Sequence, residues 1–308
     1  RPRRQIEADL SRRQQLVLYD LSSSYFEGTT CPLAKLGYNR DGKKGLLQVN
    51  YGLLTDARGC PVALSVYEGN VSDSKTLMPE LRRLREDFGV QQLVIVGDRG
   101  MISSKAITEL RHSDGIAWIT ALKSVSIRAL AEQGQLQLGL FDERNLVELS
   151  SPEYPGERLV ACRNPELAKL RAHKREALLA ATERKLDKVK ARVDAGKLAR
   201  REQIGLRVGK VINQYKMAKH FELSIGETTF SFARKLEGIS AEAALDGVYI
   251  IRTSVAATQM DSAACVRNYK SLANVERAFR SLKTIDLKVR PIHHRTADRV
   301  RAHIFLCM

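Results

Sequence analysis

The sequence predicts an α/β fold in which a mixed sheet is flanked by helices and interrupted by an inserted domain. Two observations carry this. Between residues 16 and 120, apolar runs of strand length alternate with segments of helical period. Further on, a strongly charged stretch at 165–202 separates that region from a second group of strand and helix patterns. The expected division is 1–123 for the first part of the core, 124–244 for the insertion and 245–308 for the last part of the core.

Taken in order, Leu16-Val17-Leu18-Tyr19 is a short apolar run that ends in Asp20. Residues 46–54 and 62–67 are two further strand-like runs, separated by the turn-rich Asp56-Ala57-Arg58-Gly59. The stretch 75–87 carries Leu77, Met78, Leu81 and Leu84 at spacings near 3.6, which predicts an amphipathic helix. Leu93-Val94-Ile95-Val96 is a continuous apolar run suited to a strand covered on both faces, and Gly97-Asp98-Arg99-Gly100 follows it. A helix at 103–111 and a strand at 116–120 complete this part.

Short strand-like pieces at 136–140, 146–149 and 159–162 lead into the charged stretch. There Leu167, Leu170, Leu178, Leu179, Leu186 and Val189 lie among many Lys, Arg and Glu residues. This predicts one or two helices, with a turn near Ala195-Gly196. The charged face reads equally as solvated surface held by i,i+4 pairs or as DNA contact. Val248-Tyr249-Ile250-Ile251 returns to a buried-strand pattern, and a long helix is expected from about 262 to 283.

The charge balance narrows the function classes. The chain has 308 residues, with 51 Lys and Arg against 35 Asp and Glu, a formal charge of +16. A field of that sign attracts polyanions and makes nucleic acid the leading partner. No run of eighteen apolar residues exists, so no membrane-spanning helix is expected. Arg1-Pro2-Arg3-Arg4 is followed by polar sequence rather than an apolar signal core. With no starting Met, and an apolar stop at Ile304-Phe305-Leu306-Cys307-Met308, a chain cut at both ends is expected. The five cysteines are scattered and form no C-x-x-C pair, which points to reduced thiols in a cytosol.

Phosphodiester chemistry on a polyanion calls for carboxylates that converge from distant parts of a chain to hold hard divalent cations. Ends of buried strands are rigid places to mount them. Asp20 and Asp98 each follow an apolar run. Taken singly, either reads equally as a turn or helix-capping residue. Glu276 lies on the helix that also carries Tyr269 and Lys283, the three spaced by sevens. Sevens drift only about 20° per step on a helix, so the three share one face, and Arg280 joins it. Leu272, Val275, Phe279 and Leu282 form the adjoining apolar stripe. Periodicity alone leaves an ordinary amphipathic helix with a solvated charged face as the alternative.

This helix resembles the Y-(2)-R-(3)-E-(6)-K signature of DDE transposases encoded by bacterial insertion sequences. Tyr269, Glu276 and Lys283 match in type and spacing, while Leu272 stands where that signature has Arg. The segments 19–28 and 96–101 are similar to the first- and second-aspartate motifs of one branch, and 245–253 and 293–305 also resemble it. The resemblance implies a ribonuclease-H-like core with an insertion between the second Asp and the Glu. It implies two Mg²⁺ (or Mn²⁺) bound by the catalytic set Asp20, Asp98 and Glu276. It further implies cleavage at transposon DNA ends, followed by attack of the freed 3′-hydroxyl on target DNA. Tyr269 and Lys283 would contact phosphates, with Arg280 or Arg277 replacing the missing Arg. Other implied features are DNA ends and target as partners, a homodimer on DNA, no membrane, and a place in the bacterial cytoplasm with the nucleoid.

Other residues read as structural. Asp41, Asp56 and Asp73 sit beside Gly or Ser as turn residues, and Asp246 precedes Gly247 at a strand entry. Trp118 reads as core. Adjacent His293 and His294 show no ligand pattern. Arg40, Lys43 and Lys44, near Gly42 and Gly45, form a candidate DNA-contacting loop. Two rival classes stand beside the transposase: a DNA-binding relative without activity, and a nuclease that cuts without joining.

Overall fold

The computed structural model describes residues 15–308 except 138, 140 and 286. The Arg1-Pro2-Arg3-Arg4 stretch lies outside the described residues, and the strand expected at 136–140 falls partly outside them. Two compact units emerge among the described residues, one of 15–161 with 249–308 and the other of Cys162–Val248.

The larger unit is built on a sheet of eight strands. In chain order these are β1 (Gln15–Tyr25), β2 (Gln48–Thr55), β3 (Pro61–Glu68), β4 (Leu93–Val96) and β5 (Ile116–Ala121), then β6 (Leu146–Leu149), β7 (Arg158–Arg163) and β10 (Val248–Thr253). Their order in space is β3-β2-β1-β4-β5-β10-β7-β6. β1, β2 and β3 form an antiparallel meander, whereas β4 and β5 run parallel to β1. This is the ribonuclease-H-like mixed sheet expected above. Strands β6 and β7, inside the interval expected for the insertion, extend the large sheet.

Side chains alternate across β1 and give its two faces different work. Val17, Tyr19 and Leu21 point into the main core. Helices α1 (Leu77–Phe88) and α2 (Ser104–Arg111) cover that face. Leu77, Leu81 and Leu84 of α1 and Ala106, Ile107 and Leu110 of α2 are all buried there. Each fully buried leucine contributes about 2 kcal/mol. Gly89, at φ +66°, ends α1 with its amide on the Arg85 carbonyl, and Ser103 Oγ caps α2 by accepting from Ala106 N.

The opposite face carries Leu18, Asp20, Ser22 and Ser24. Against it lies α8 (Leu272–Arg280), while α7 (Ser262–Lys270) lies against β5 and β6. The Phe279 ring of α8 meets Tyr51 of β2 edge-on, with centroids 5.7 Å apart, and Tyr51 Oη bonds Ser24 Oγ at 2.9 Å. In this unit α3 (Ser124–Glu132) precedes α7, and α9 (Ala297–Leu306) follows it later in the chain.

The smaller unit pairs α4 (Pro165–Asp194) with α5 (Arg201–Tyr215) as a helical hairpin. The turn falls at the expected Ala195-Gly196, but α5 runs beyond the 202 limit of the expectation. Asn164 Oδ1 caps α4, with Pro165 following at the position where a missing N–H costs nothing. Leu179, Leu186, Val189 and Val193 pack on Ile204, Val208 and Ile212, together with Phe221 and Phe230 of the hairpin β8 (Phe221–Ile225) and β9 (Phe230–Arg234). α6 (Leu236–Ala244) follows. Among the described residues, no helix is long and apolar enough to cross a membrane.

Candidate active site

Asp20 sits inside β1 rather than at its end. The strand continues through Ser22, Ser23 and Ser24, all buried, to Tyr25. The apolar run read from the sequence ends at Asp20, short of those serines. They are tolerated because β2 pairs with them in register and takes up their backbone, and Tyr51 takes one hydroxyl. Asp98 follows β4, whose pairing with β1 ends at Leu18 opposite Val96. Two residues further along each strand direction come Asp20 and Asp98, so parallel register brings the two carboxylates to one level of the sheet. Gly97 lets the chain leave the strand here, since a side chain there would press on Ile102. The Asp98 Oδ1 atom accepts from Gly100 N at 2.9 Å and Met101 N at 2.7 Å, which fixes its direction.

Glu276 comes from α8. The single helix expected over 262–283 is three successive segments: α7, α8, and a π-helical turn at Ser281–Ile285. Ser271, between the first two, returns its hydroxyl to the Arg267 carbonyl at 3.0 Å, a bond that bends helices. The seven-residue spacing therefore does not run along one uninterrupted α-helical face, and Lys283 lies in the wider π turn. α8 is seated by the β2–β3 turn. Gly59, at φ +88°, abuts Asn274 so closely that an added Cβ would stand 2.6 Å from the Asn274 Cβ. Asn274 Nδ2 also donates to the Ala57 carbonyl at 3.4 Å.

Asp20, Asp98 and Glu276 line one cavity of about 640 Å³, together with Arg40, Asp41, Asp73, Arg280, Lys283 and Arg290. Asp41 and Asp73 are paired there: Asp41 with Lys283 and Arg290, and Asp73 with Arg40. No ion pair joins Asp20, Asp98 or Glu276 to another described residue. Burial pushes the Asp20 carboxyl up to about 7, and the neighbouring charges of Asp98 and Glu276 add to the rise, while the Leu21 amide and Arg40 oppose it. Tyr269 is half-buried outside the cavity lining. Burial raises its phenol above the ordinary range, and Asp98 and then Glu276 contribute to the rise. Arg277 is exposed and lies outside that lining.

Sequence reasoning missed Arg290 and the inward role of Asp41. Asp41 is more than a turn residue, because its side chain is only 1% exposed and binds two cations. Of the loop Arg40, Lys43 and Lys44, Arg40 turns into the cavity, and Lys43 lies over the Tyr25 ring. Trp118 is buried, as expected. His293 approaches Glu27 at 3.7 Å, and the His294 ring meets His303.

Among the described residues no three carboxylate, histidine or cysteine side chains already converge closely enough to hold an ion. The donor chemistry of Asp20, Asp98 and Glu276 nevertheless fits a hard divalent cation. All three offer oxygen, all border one cavity, and burial with the added repulsion of Asp98 and Glu276, which together raise Asp20, is a setting that a cation relieves.

Residues 13–308 match the family "Transposase DDE domain", and the chain belongs to that family. No curated protein sequence matches it. Among solved structures, a piggyBac transposase synaptic complex with hairpin DNA is similar over 95% of this chain and 45% of that one, at 8% identity and a TM-score of 0.45. A Mos1 transposase paired-end complex with the left transposon end is similar over 41% of each chain, at 12% identity and a TM-score of 0.24. The chain thus spans less than half the length of either.

Proposed function

We propose that this chain is the catalytic part of a transposase, which nicks DNA at transposon ends and joins the freed 3′-hydroxyl to target DNA. The observation that carries this is the cavity in which Asp20, Asp98 and Glu276 meet from three distant segments without cationic partners. Two Mg²⁺ (or Mn²⁺), held by these three residues, would supply stabilisation of the attacking and leaving oxygens and of the charge between them.

The chain's own residues do the rest. Asp20 is carried by a central strand and Asp98 by the turn after its neighbour, so the oxygen donors are held by backbone rather than by mobile loops. Arg280 and Lys283 border the same cavity and suit the phosphates that flank the bond to be cut. Tyr269 stands beside Asp98 and Glu276, where its phenol can donate to a phosphate oxygen. Arg277, exposed on α8, extends that positive surface toward DNA. The Cys162–Val248 unit serves as the insertion domain between the second and third carboxylates. Assembly as a homodimer on paired ends, in the bacterial cytoplasm at the nucleoid, completes the reading.

The test uses supercoiled plasmid and a labelled oligonucleotide with a free 3′-hydroxyl, in Mg²⁺ or Mn²⁺, with wild type and Glu276→Gln. Nicked and joined products from wild type alone support the reading. Equal products from both proteins remove Glu276 from the chemistry. Nicks without joined molecules point to a nuclease, and no product from either points to a binding-only relative.

A further inference from the structure

We propose that Asp41 is a positioning residue, which fixes Lys283 and Arg290 as one preset cationic pair for a DNA phosphate beside the three carboxylates. The inference rests on the DNA-processing reading above and assigns a part to Asp41 and Arg290, which that reading leaves unused.

The geometry begins in the loop between β1 and β2. Asn39 Oδ1 accepts from the amides of both Asp41 and Lys43 at 2.9 Å, and Asn39 Nδ2 donates to the Lys43 carbonyl at 2.8 Å. Ser23 Oγ accepts from Arg40 N at 3.3 Å, tying the loop to the sheet. Gly42, at φ +71°, turns the chain immediately after Asp41. Held this way, the Asp41 carboxylate points inward and is only 1% exposed. Its Oδ2 accepts from Tyr25 N at 3.0 Å. Its Oδ1 accepts from Lys283 Nζ at 3.0 Å and from Arg290 Nη1.

One carboxylate against two cations leaves positive charge in excess, on the wall that also bears Asp20, Asp98 and Glu276. Arg40, another cation of the same cavity, is committed to Asp73. Burial pulls the Lys283 ammonium below the ordinary lysine range, and Asp41 is the group that works against that loss of charge. Lys283 also lies in the π turn, a local widening found often at functional sites. A buried ion cluster is a weak source of stability but an effective device for fixing orientation. Lysine alone is a flexible point charge, and a shared carboxylate removes that freedom before DNA arrives.

The test compares wild type, Asp41→Asn, Lys283→Gln and the double variant. Binding of a 20-base-pair duplex is measured in EDTA across a salt series, and nicking of supercoiled plasmid is measured in Mn²⁺. If Asp41 acts through Lys283, each single variant loses about tenfold in duplex affinity and the double loses no more than either. The salt slope falls by about one in all three. A merely structural aspartate would give additive losses with an unchanged slope, and that result, or an unaffected Asp41→Asn protein, overturns the proposal. Should Asp41→Asn fail to fold, Asp41→Glu keeps the charge and displaces it. The proposal then expects melting close to wild type with nicking down roughly tenfold, and full nicking by Asp41→Glu overturns it. Wild type that binds no duplex would sink the DNA-processing reading and this inference together. Wild type that binds and nicks while the cycle is additive sinks the inference alone.

Discussion

Ion pairs are plentiful in both units, but they do different things in each. In the smaller unit Arg234 bridges Glu176 at 2.9 Å and Glu183 at 2.6 Å, two turns apart on α4, and Glu176 is 61% exposed. Such pairs are screened by water and contribute little. In the larger unit Asp41, Lys283 and Arg290 are drawn under the surface beside three carboxylates that have no cationic partner. The lesson is that charge content says little about role. What separates a solvated face from a working one is burial, and whether the charges there are compensated.

Four substitutions sharpen that contrast, in order of expected size. On the proposed reading, Asp98→Asn removes an oxygen that would hold metal, without removing a core contact. Nicking of plasmid in Mn²⁺ should fall by more than about a thousandfold with the melting temperature nearly unchanged. Retained strand transfer by the purified variant would remove Asp98 from the site.

Asp20→Asn tests the uncompensated cluster through pH. The Asp20 carboxyl rises from 3.8 to about 7 on folding, so its ionisation destabilises the metal-free fold. Below the unfolded value it is protonated in both states and has no effect. The penalty grows between pH 4 and 7 and is complete above. Urea unfolding in EDTA should therefore show Asp20→Asn more stable than wild type by up to about 4 kcal/mol at pH 8, with no gain at pH 3.5. A gain independent of pH would contradict the cause given.

Gly59→Ala places a Cβ against Asn274 at a left-handed backbone position. A loss of about 1–3 kcal/mol in unfolding free energy, read from urea titration, is expected, with weaker nicking because α8 carries Glu276. An unchanged nicking rate would separate that turn from the site. Smallest of all, Arg234→Ala should cost about 1 kcal/mol or less and leave nicking intact. A large loss of nicking there would erase the contrast between the two regions.

How much of this was legible beforehand depends on the range over which each feature is decided. β4 (Leu93–Val96) was evident because four consecutive apolar residues satisfy a strand covered on both sides, and Asp98 followed from its end. Glu276 was singled out by the match of Tyr269 and Lys283 in type and spacing, and it lines the same cavity as Asp20 and Asp98. The extent of β1 was not, because Ser22, Ser23 and Ser24 look like loop until neighbouring strands enclose them. The π turn at Ser281–Ile285 leaves no mark in residue period. The role of Asp41 was least legible. Its partners Lys283 and Arg290 lie 242 and 249 residues away, while its Gly-flanked surroundings read locally as a turn.

The central claim is that Asp20, Asp98 and Glu276 hold divalent cations together. Crystals of the protein soaked in Mn²⁺, with anomalous scattering recorded at the manganese edge, test it most directly. The account predicts density within coordination distance of oxygens from all three side chains, lost in crystals of Asp98→Asn. Manganese bound elsewhere, at Asp73 for instance, with none at these three would contradict it.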